Sequence, residues 1–138
     1  VENQGSEITW SISDDGGSSV TTGATGLAIG TGSANTDAII AVQGTASSHA
    51  AGLARAYTGG SYTDWFLPSK YELNKMYLNK ATINSTATAN GGSNFSDDAY
   101  WSSTETDYYS AWKQYFNNGN RSNGIKNNTL FVRAVRAF

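Results

Sequence analysis

The stretch that decides the fold is YTDWFLPSKYEL, residues 62–73. Within it, Ser69 and Glu72 form a Ser-x-x-Glu capping box, in which each side chain accepts a hydrogen bond from a backbone N–H that the first helical turn leaves unpaired. The spacing predicts a helix that begins here and runs to about residue 79 or 80. Its apolar face is formed by Leu73, Met76 and Tyr77.

Upstream of this stretch, the sequence predicts one strand and two helices. Apolar and polar residues alternate over residues 7–12, the period of a half-buried strand, and Asp14-Asp15-Gly16-Gly17 indicates a turn. Residues 35–37 are N-cap types and predict a helix over residues 38–42. A second helix is predicted over about residues 46–57.

Downstream of it, the pattern becomes β-like. Residues 81–98 are polar and predict a long loop. Strands are predicted over residues 100–104, 111–116 and 130–138, the last one apolar on both faces and therefore central in its sheet. Residues 117–128 are rich in turn formers. Helices early and strands late predict a single α+β domain over residues 1–138.

Composition excludes several functions. Charged residues make up 14% of the chain and the formal net charge is −2, so no basic stripe is present for nucleic acid. No window is long and apolar enough to predict membrane insertion. The absence of cysteine excludes disulfides, thiol nucleophiles and thiolate metal sites.

No residue pattern predicts catalysis, a cofactor or a metal. His49 is the only histidine and has no Ser or Cys partner pattern around it, so a helix-surface or half-buried role is expected. Asp14-Asp15, Asp97-Asp98 and Glu105 lack EF-hand spacing, and turn or cap roles are favoured over calcium binding. Gly30-x-Gly32 lacks the further glycine of a dinucleotide loop. A non-enzymatic chain without cofactor is expected.

The window Thr106–Phe131 has an unusual composition. It holds six of the 13 asparagines of the chain, together with Tyr108, Tyr109 and Tyr115. Tyrosine with Asn, Ser and Gly is typical of antibody paratopes, where rigid aromatic area is combined with adaptable hydrogen bonding. Asn and Gly are also ordinary turn formers. Composition alone leaves both interpretations open.

The segments that flank the window have the character of a framework. Residues 100–105 and 132–138 supply aromatic side chains for packing and hydroxyls for pairing. Arg133 and Arg136 are suited to clamp carboxylates such as Glu105. A frame around a polar, aromatic insert is the layout of a binding site carried on a scaffold.

Five motifs in order resemble one family. Residues 62–73 are similar to its signature DW-x-LP-[ST]-x-x-EL, and Trp101–Glu105, Ala111-Trp112, Phe116-x-x-Gly119 and Val132–Arg136 follow. The set covers about residues 25–138. It is similar to the C-terminal domains of bacterial and phage collagen-like adhesins and to variable proteins of diversity-generating retroelements. Residues 1–24 match less well, so a truncated N-terminal part is one expectation.

The resemblance implies a C-type-lectin-like fold, with two or three helices packed on small antiparallel sheets. It implies kinship with the formylglycine-generating enzyme and with the phage major tropism determinant. Catalytic relatives depend on cysteines, which this chain lacks. Calcium-dependent sugar-binding lectins carry a Glu-Pro-Asn motif, which is also missing.

The resemblance also implies a cause for the excess of asparagine. Randomised adenines in Asn codons can yield Tyr, Ser, Asp, Gly, Ile, Leu, Phe, Arg or Thr, and the window holds these types, Gly124 and Phe131 included. Trp112 and Gln114 lie outside this menu and are expected to be frame. Lys126 also lies outside it. Lys113 is also not among these residue types, but the alternation of the strand points its side chain outward, where it can still contact a ligand.

The predicted ligand-binding residues therefore lie in the loops and strands of the window. They are Asp107, Tyr108, Tyr109, Ser110, Lys113, Tyr115, Asn118, Asn120, Arg121, Ser122, Asn123, Ile125, Asn128 and Leu130.

The expected partner is a protein ligand on a cell or host surface. The expected location is extracellular, on a cell or virion surface, with several copies held in a larger parent assembly. The alternative is a glycan-binding adhesin domain of fixed specificity, in which Tyr and Trp stack on sugar rings. An enzyme is a third hypothesis, disfavoured because no base, nucleophile or metal cluster stands out.

Overall fold

A computed structural model describes residues 2–12 and 20–137 of the chain, and the turn predicted at residues 14–17 lies outside them. The described residues form four α-helices and five strands, which fits the α+β class and corrects the expected number of two or three helices. In chain order these are β1 (Gly5–Ile8), α1 (Gly32–Gln43), α2 (Ala50–Ala56), α3 (Lys70–Leu78), α4 (Lys80–Ala89), β2 (Ala99–Glu105), β3 (Ser110–Tyr115), β4 (Arg121–Ile125) and β5 (Leu130–Val132). A 3-10 turn covers Gly59–Ser61.

The strands form one sheet in the order β1-β5-β2-β3-β4. The sheet is mixed, and the expectation of antiparallel sheets alone was wrong, because β5 runs parallel to β2 while the other neighbours are antiparallel. After β4, Lys126 lies beside Glu105 at the end of β2, and β5 then lies between β1 and β2. The strand predicted last is therefore central, as its apolar pattern indicated.

Two apolar clusters cover opposite faces of the sheet. Consecutive residues of a strand point to opposite faces, so Trp101 joins the first cluster, with α1 and α2, while Tyr100 joins the second, with α3 and α4. Both side chains are fully buried. The strand β2 is thus held between two helical layers.

Helix α1 begins at Gly32, six residues before the predicted start. Thr36 does not cap it: its hydroxyl donates to the Gly32 carbonyl at 2.8 Å and accepts from the Leu67 N–H at 3.0 Å. Asn35 pairs through its amide with both backbone groups of Gly26. These cap-type side chains are buried and make tertiary contacts, which explains the wrong boundary.

Helix α2 begins at Ala50, and its N-cap is His49. The imidazole Nδ1 accepts from the Gly52 N–H at 3.3 Å, and Nε2 lies 2.9 Å from the Gly44 carbonyl oxygen. The ring is fully buried, which corrects the expected helix-surface or half-buried position. Burial lowers the pKa of His49, because the charged imidazolium loses its hydration.

Helix α3 confirms the capping box, with the Ser69 N–H 2.7 Å from the Glu72 carboxylate. The loop predicted next was wrong, because α4 begins at Lys80. Ile83 and Ala87 are one turn apart and face the core, and the Asn84 amide oxygen accepts from the Phe95 N–H at 2.8 Å. The Ser, Thr and Asn content of α4 hid this helix, since these residues are weak helix formers.

The structure also has a strand, β4, within residues 117–128, which were predicted as turns. Turns lie on both sides of this strand, at residues 116–118 and 126–127, and Gly119 has φ +79°. Between the turns, β4 pairs with β3. The strand predicted over residues 130–138 ends at Val132. Beyond it, Val135 exchanges two backbone hydrogen bonds with Phe66, which fastens the C-terminal segment to the signature stretch.

Candidate functional site

The window Thr106–Phe131 comprises the β2–β3 loop, the β3–β4 hairpin and the connection to β5. None of the fourteen predicted ligand-binding residues is buried. The exposed ones are Asp107, Tyr108, Tyr109, Asn118, Asn120, Arg121, Asn123, Ile125 and Asn128, and the half-buried ones are Ser110, Lys113, Tyr115, Ser122 and Leu130. Their role in binding stays a prediction, but their positions leave them accessible.

The hairpin presents two faces. The β3–β4 register places Trp112 opposite Asn123 and Lys113 opposite Ser122. Directly paired residues share a face, so the face on the side of α3 holds Trp112, Arg121, Asn123 and Ile125; we call it the α3-side face. Lys113, Tyr115 and Ser122 lie on the opposite face. The predicted residues therefore do not form one continuous flat surface.

On the opposite face, Lys113 is engaged by its neighbour two positions along the strand. Its ammonium donates to the Tyr115 hydroxyl at 3.0 Å and lies 4.9 Å from the centre of that ring. Strand parity correctly placed Lys113 and Tyr115 on the same face.

On the α3-side face, the Trp112 ring is in contact with a lysine side chain from helix α3. The Lys70 ammonium, from the first turn of α3, lies 3.2 Å from the centre of the half-buried Trp112 ring. Desolvation by burial lowers the pKa of Lys70, and the charge of Arg121 adds to this. No signal in the sequence indicated Lys70, because it lies 36 residues before the window and only the fold brings it there.

Two loops of the window are held by their own side chains. The Asp107 carboxylate accepts from the backbone N–H groups of Tyr109 and Ser110, each at 2.8 Å. The Asn118 amide oxygen accepts from the Asn120 N–H at 2.9 Å. Asp107 and Asn118 thus serve as turn formers, and the neighbouring side chains gain a fixed backbone.

The window is anchored by a buried ion pair between Lys126 and Glu105. The Nζ–Oε1 distance is 2.6 Å, and both side chains are almost completely buried. Lys126 also donates to the carbonyl oxygens of Val20, Asp107 and Tyr108. Burial lowers the pKa of Lys126 more than the Glu105 charge raises it.

The carboxylate of Glu105 ties this anchor to the N-terminal part of the chain. It accepts from the backbone N–H groups of Thr22 and Gly23 at 3.0 to 3.1 Å. Lys126 also lies 4.7 Å from the centre of the Trp10 ring. One lysine therefore joins the β2–β3 loop, the end of β2 and the residues around Val20.

The expected partners of Glu105 were wrong. Arg133 is buried and donates to the Asn3 amide oxygen and the Ser93 carbonyl. Arg136 forms a two-bond pair with Asp64, at 2.8 and 3.0 Å, and thereby lowers the pKa of that carboxyl. The true partner is Lys126, which lies 21 residues from Glu105 in the sequence.

Five residues of the window belong to the frame, since they are buried: Ala111, Gln114, Phe116, Gly124 and Lys126. Gln114, predicted as frame, donates to Asn74 and to the Gly119 carbonyl. Gly124, expected within the variable menu, packs against Trp101; a Cβ there would lie 2.8 Å from the Trp101 ring.

The acidic residues considered as metal ligands have other partners. Asp97 pairs with Lys80 at 3.2 Å, and Asp98 accepts from the Ala99 N–H. Within residues 2–12 and 20–137, no three His, Asp or Glu side chains gather at a spacing suited to a metal ion. Asp14 and Asp15 lie outside the described residues.

Two cavities of about 250 and 320 Å³ flank the C-terminal segment at Val135 and Arg136. The first is lined mainly by apolar side chains such as Trp65 and Met76. None of the predicted ligand-binding residues lines either cavity. In the described part of the chain, no helix is long and apolar enough to cross a bilayer.

The fold and the window together define an α+β domain that presents an accessible hairpin on a buried frame. The family model for the Lcl C-terminal domain matches residues 1–136, and the chain belongs to this family of variable-protein domains related to phage tropism. The match includes residues 1–24, and a truncated N-terminal part stays a prediction. A search of curated proteins found no significant match. Membership indicates a ligand-binding domain of the adhesin or phage-tropism type.

Proposed function

We propose that this chain is a non-enzymatic ligand-binding domain of C-type-lectin-like fold whose window Thr106–Phe131 is diversified by a retroelement to bind protein ligands. Its place of action is a cell or virion surface. The observation that carries the proposal is the accessibility of all fourteen predicted residues on a frame of buried ones. The α+β order and the family membership support it.

The separation of frame and accessible side chains is what a diversified site requires. Exposed substitutions away from special contacts change stability by no more than about 0.5 kcal/mol. A buried ion pair does not tolerate the replacement of one partner, because the charge of the other partner then remains buried and unpaired. Here Lys126 and Glu105 form such an anchor, directly beneath the loop that carries Tyr108 and Tyr109.

Affinity is expected to come from a few large side chains. Tyr108 and Tyr109 are 48% and 59% exposed, and Arg121 is exposed at the start of β4. Tyr and Arg dominate the binding energy of most protein interfaces. One small domain binds weakly, and several copies on a fibre or virion raise the effective concentration.

The gene provides the most decisive test of diversification. A near-copy of the coding segment for residues 106–131, next to a reverse transcriptase gene, is expected. Differences between the two copies should fall at adenines of the template and at codons for exposed residues such as Tyr109 and Asn123. Sequencing of a locus without such a repeat would contradict the diversification part of the proposal.

A glycan-binding domain of fixed specificity is the second candidate, favoured by the exposed rings of Tyr108 and Tyr109. Their planes meet at 87°, with ring centres 4.9 Å apart, so the two rings do not form one flat platform for sugars. A glycan array distinguishes the candidates. Two results together would establish the second candidate: saturable binding to one glycan that Tyr109→Ala abolishes, and a gene locus that lacks a template repeat.

A further inference from the structure

Two cations meet at the α3-side face of the hairpin: Arg121 belongs to that face, and Lys70 reaches it from helix α3. The Lys70 ammonium lies over the Trp112 ring, and Arg121 is two residues along β4 from Asn123, the residue paired with Trp112. The charge of Arg121 accordingly lowers the pKa of Lys70. Among residues 2–12 and 20–137, neither has a carboxylate at ion-pair distance, whereas the four ion pairs that form there use Arg55, Lys80, Lys126 and Arg136. Two like charges that lie close together destabilise the free protein, and a ligand that supplies an opposite charge removes this cost.

The surroundings of these cations are aromatic and apolar. Lys70 stacks on the half-buried Trp112 ring at 3.2 Å, and Ile125, 53% exposed, lies on the same face, with Asn123 between Arg121 and Ile125 along β4. Two cations beside a tryptophan, an amide and an exposed isoleucine match a carboxylate flanked by apolar side chains. A sulfated polymer requires a longer basic stripe, and the net charge of −2 repels it.

We infer that the α3-side face and Lys70 together bind an acidic segment of a protein ligand, with one Asp or Glu carboxylate between Lys70 and Arg121. This inference rests on the proposed function and specifies its partner. Arginine contributes a planar donor fork for the carboxylate, and lysine a point charge. Lys70 belongs to the helix, outside the window, so it remains when the window changes. Protein ligands of other domains that differ from this one only in the window are then expected to carry an acidic residue that contacts Lys70.

The test uses a phage-displayed library of random 12-residue peptides, selected on the intact domain. The variants are Lys70→Met and Arg121→Gln, and the matched control is Lys75→Met, an exposed lysine of the same helix that lines the cavity at Arg136. The Lys70 side chain makes no hydrogen bond within the described residues, and methionine keeps its apolar stem, so the variant is expected to fold. Far-UV circular dichroism checks this.

Wild type and Lys75→Met are expected to enrich peptides with an Asp or Glu next to apolar residues. Replacement of that acid by its amide should weaken binding at least tenfold, and so should Lys70→Met in the domain. Enrichment without acidic preference, in peptides that still depend on Asn123 and Ile125, would overturn the acidic partner and leave the proposed function intact. Peptides that depend on no window residue would contradict both. Saturable binding of heparin that needs Lys70, with no peptide binding, would assign the site to a sulfated glycan and overturn the inference.

Discussion

Lys126→Met tests the anchor beneath the window most severely. Methionine keeps most of the length of the side chain and removes its charge. Glu105 would stay buried, with only backbone N–H groups as partners, and the carbonyl oxygens of Val20, Asp107 and Tyr108 would each lose a donor. Removing one partner of a buried ion pair costs about 3–5 kcal/mol.

That cost is a large part of the stability of a small domain, about 5–15 kcal/mol. In a chain of this length each kcal/mol lowers Tm by about 4 °C, so a decrease of about 12–20 °C is expected. Urea unfolding followed by tryptophan fluorescence measures the free energy directly. Lys113→Met is the matched control, because Lys113 lies in the same window, is half-buried and has no carboxylate partner among residues 2–12 and 20–137; it should cost less than about 1 kcal/mol.

The double variant Glu105→Gln with Lys126→Met separates the charge from the packing. It removes the unpaired carboxylate, so it should be more stable than Lys126→Met alone, although it contains one more substitution. The reasoning is refuted if Lys126→Met loses no more stability than Lys113→Met. It is also refuted if the double variant loses the sum of both single costs.

Three further changes probe other parts of the frame. The pKa of His49 is lowered in the folded state, so the unfolded chain binds the proton more readily. The free energy of unfolding should therefore fall as pH decreases below 6.5, by at most about 1.4 kcal/mol per pH unit. The variant His49→Asn, which keeps a cap acceptor for Gly52, should remove most of this pH dependence in urea titrations at pH 7.5 and 5. Gly124→Ala should cost about 1–3 kcal/mol in the same assay because its Cβ meets Trp101, and an unchanged midpoint would refute that packing. Gly119→Ala should cost at least about 1–2 kcal/mol, because of its positive φ and because the added Cβ would meet the Tyr77 ring; a stabilising effect would contradict the hairpin geometry.

Local signals predicted some elements well. The capping box at Ser69 fixed the start of α3, because both of its hydrogen bonds lie within four residues. The alternation around Trp112 and Lys113 predicted a strand with the correct two faces. The apolar run that starts at Leu130 predicted a central strand, and β5 lies between β1 and β2.

Elements decided by tertiary contacts were missed. Helix α4 has a polar sequence and is held by Ile83 against the second cluster. Strand β4 consists of residues that form turns elsewhere, and pairing with β3 determines its conformation. The partner of Glu105 lies 21 residues away, and the cation over Trp112 comes from α3. Spacing in the sequence carries no information about such contacts.

The central claim is that the exposed chemistry of the window can change without loss of the fold. The most direct measurement compares two displayed libraries by resistance to proteolysis. One randomises Tyr108, Tyr109 and Asn123, and the other randomises Gln114 and Lys126. We expect most members of the first library to remain protected and few members of the second to do so. Equal loss of protection in both libraries would contradict it.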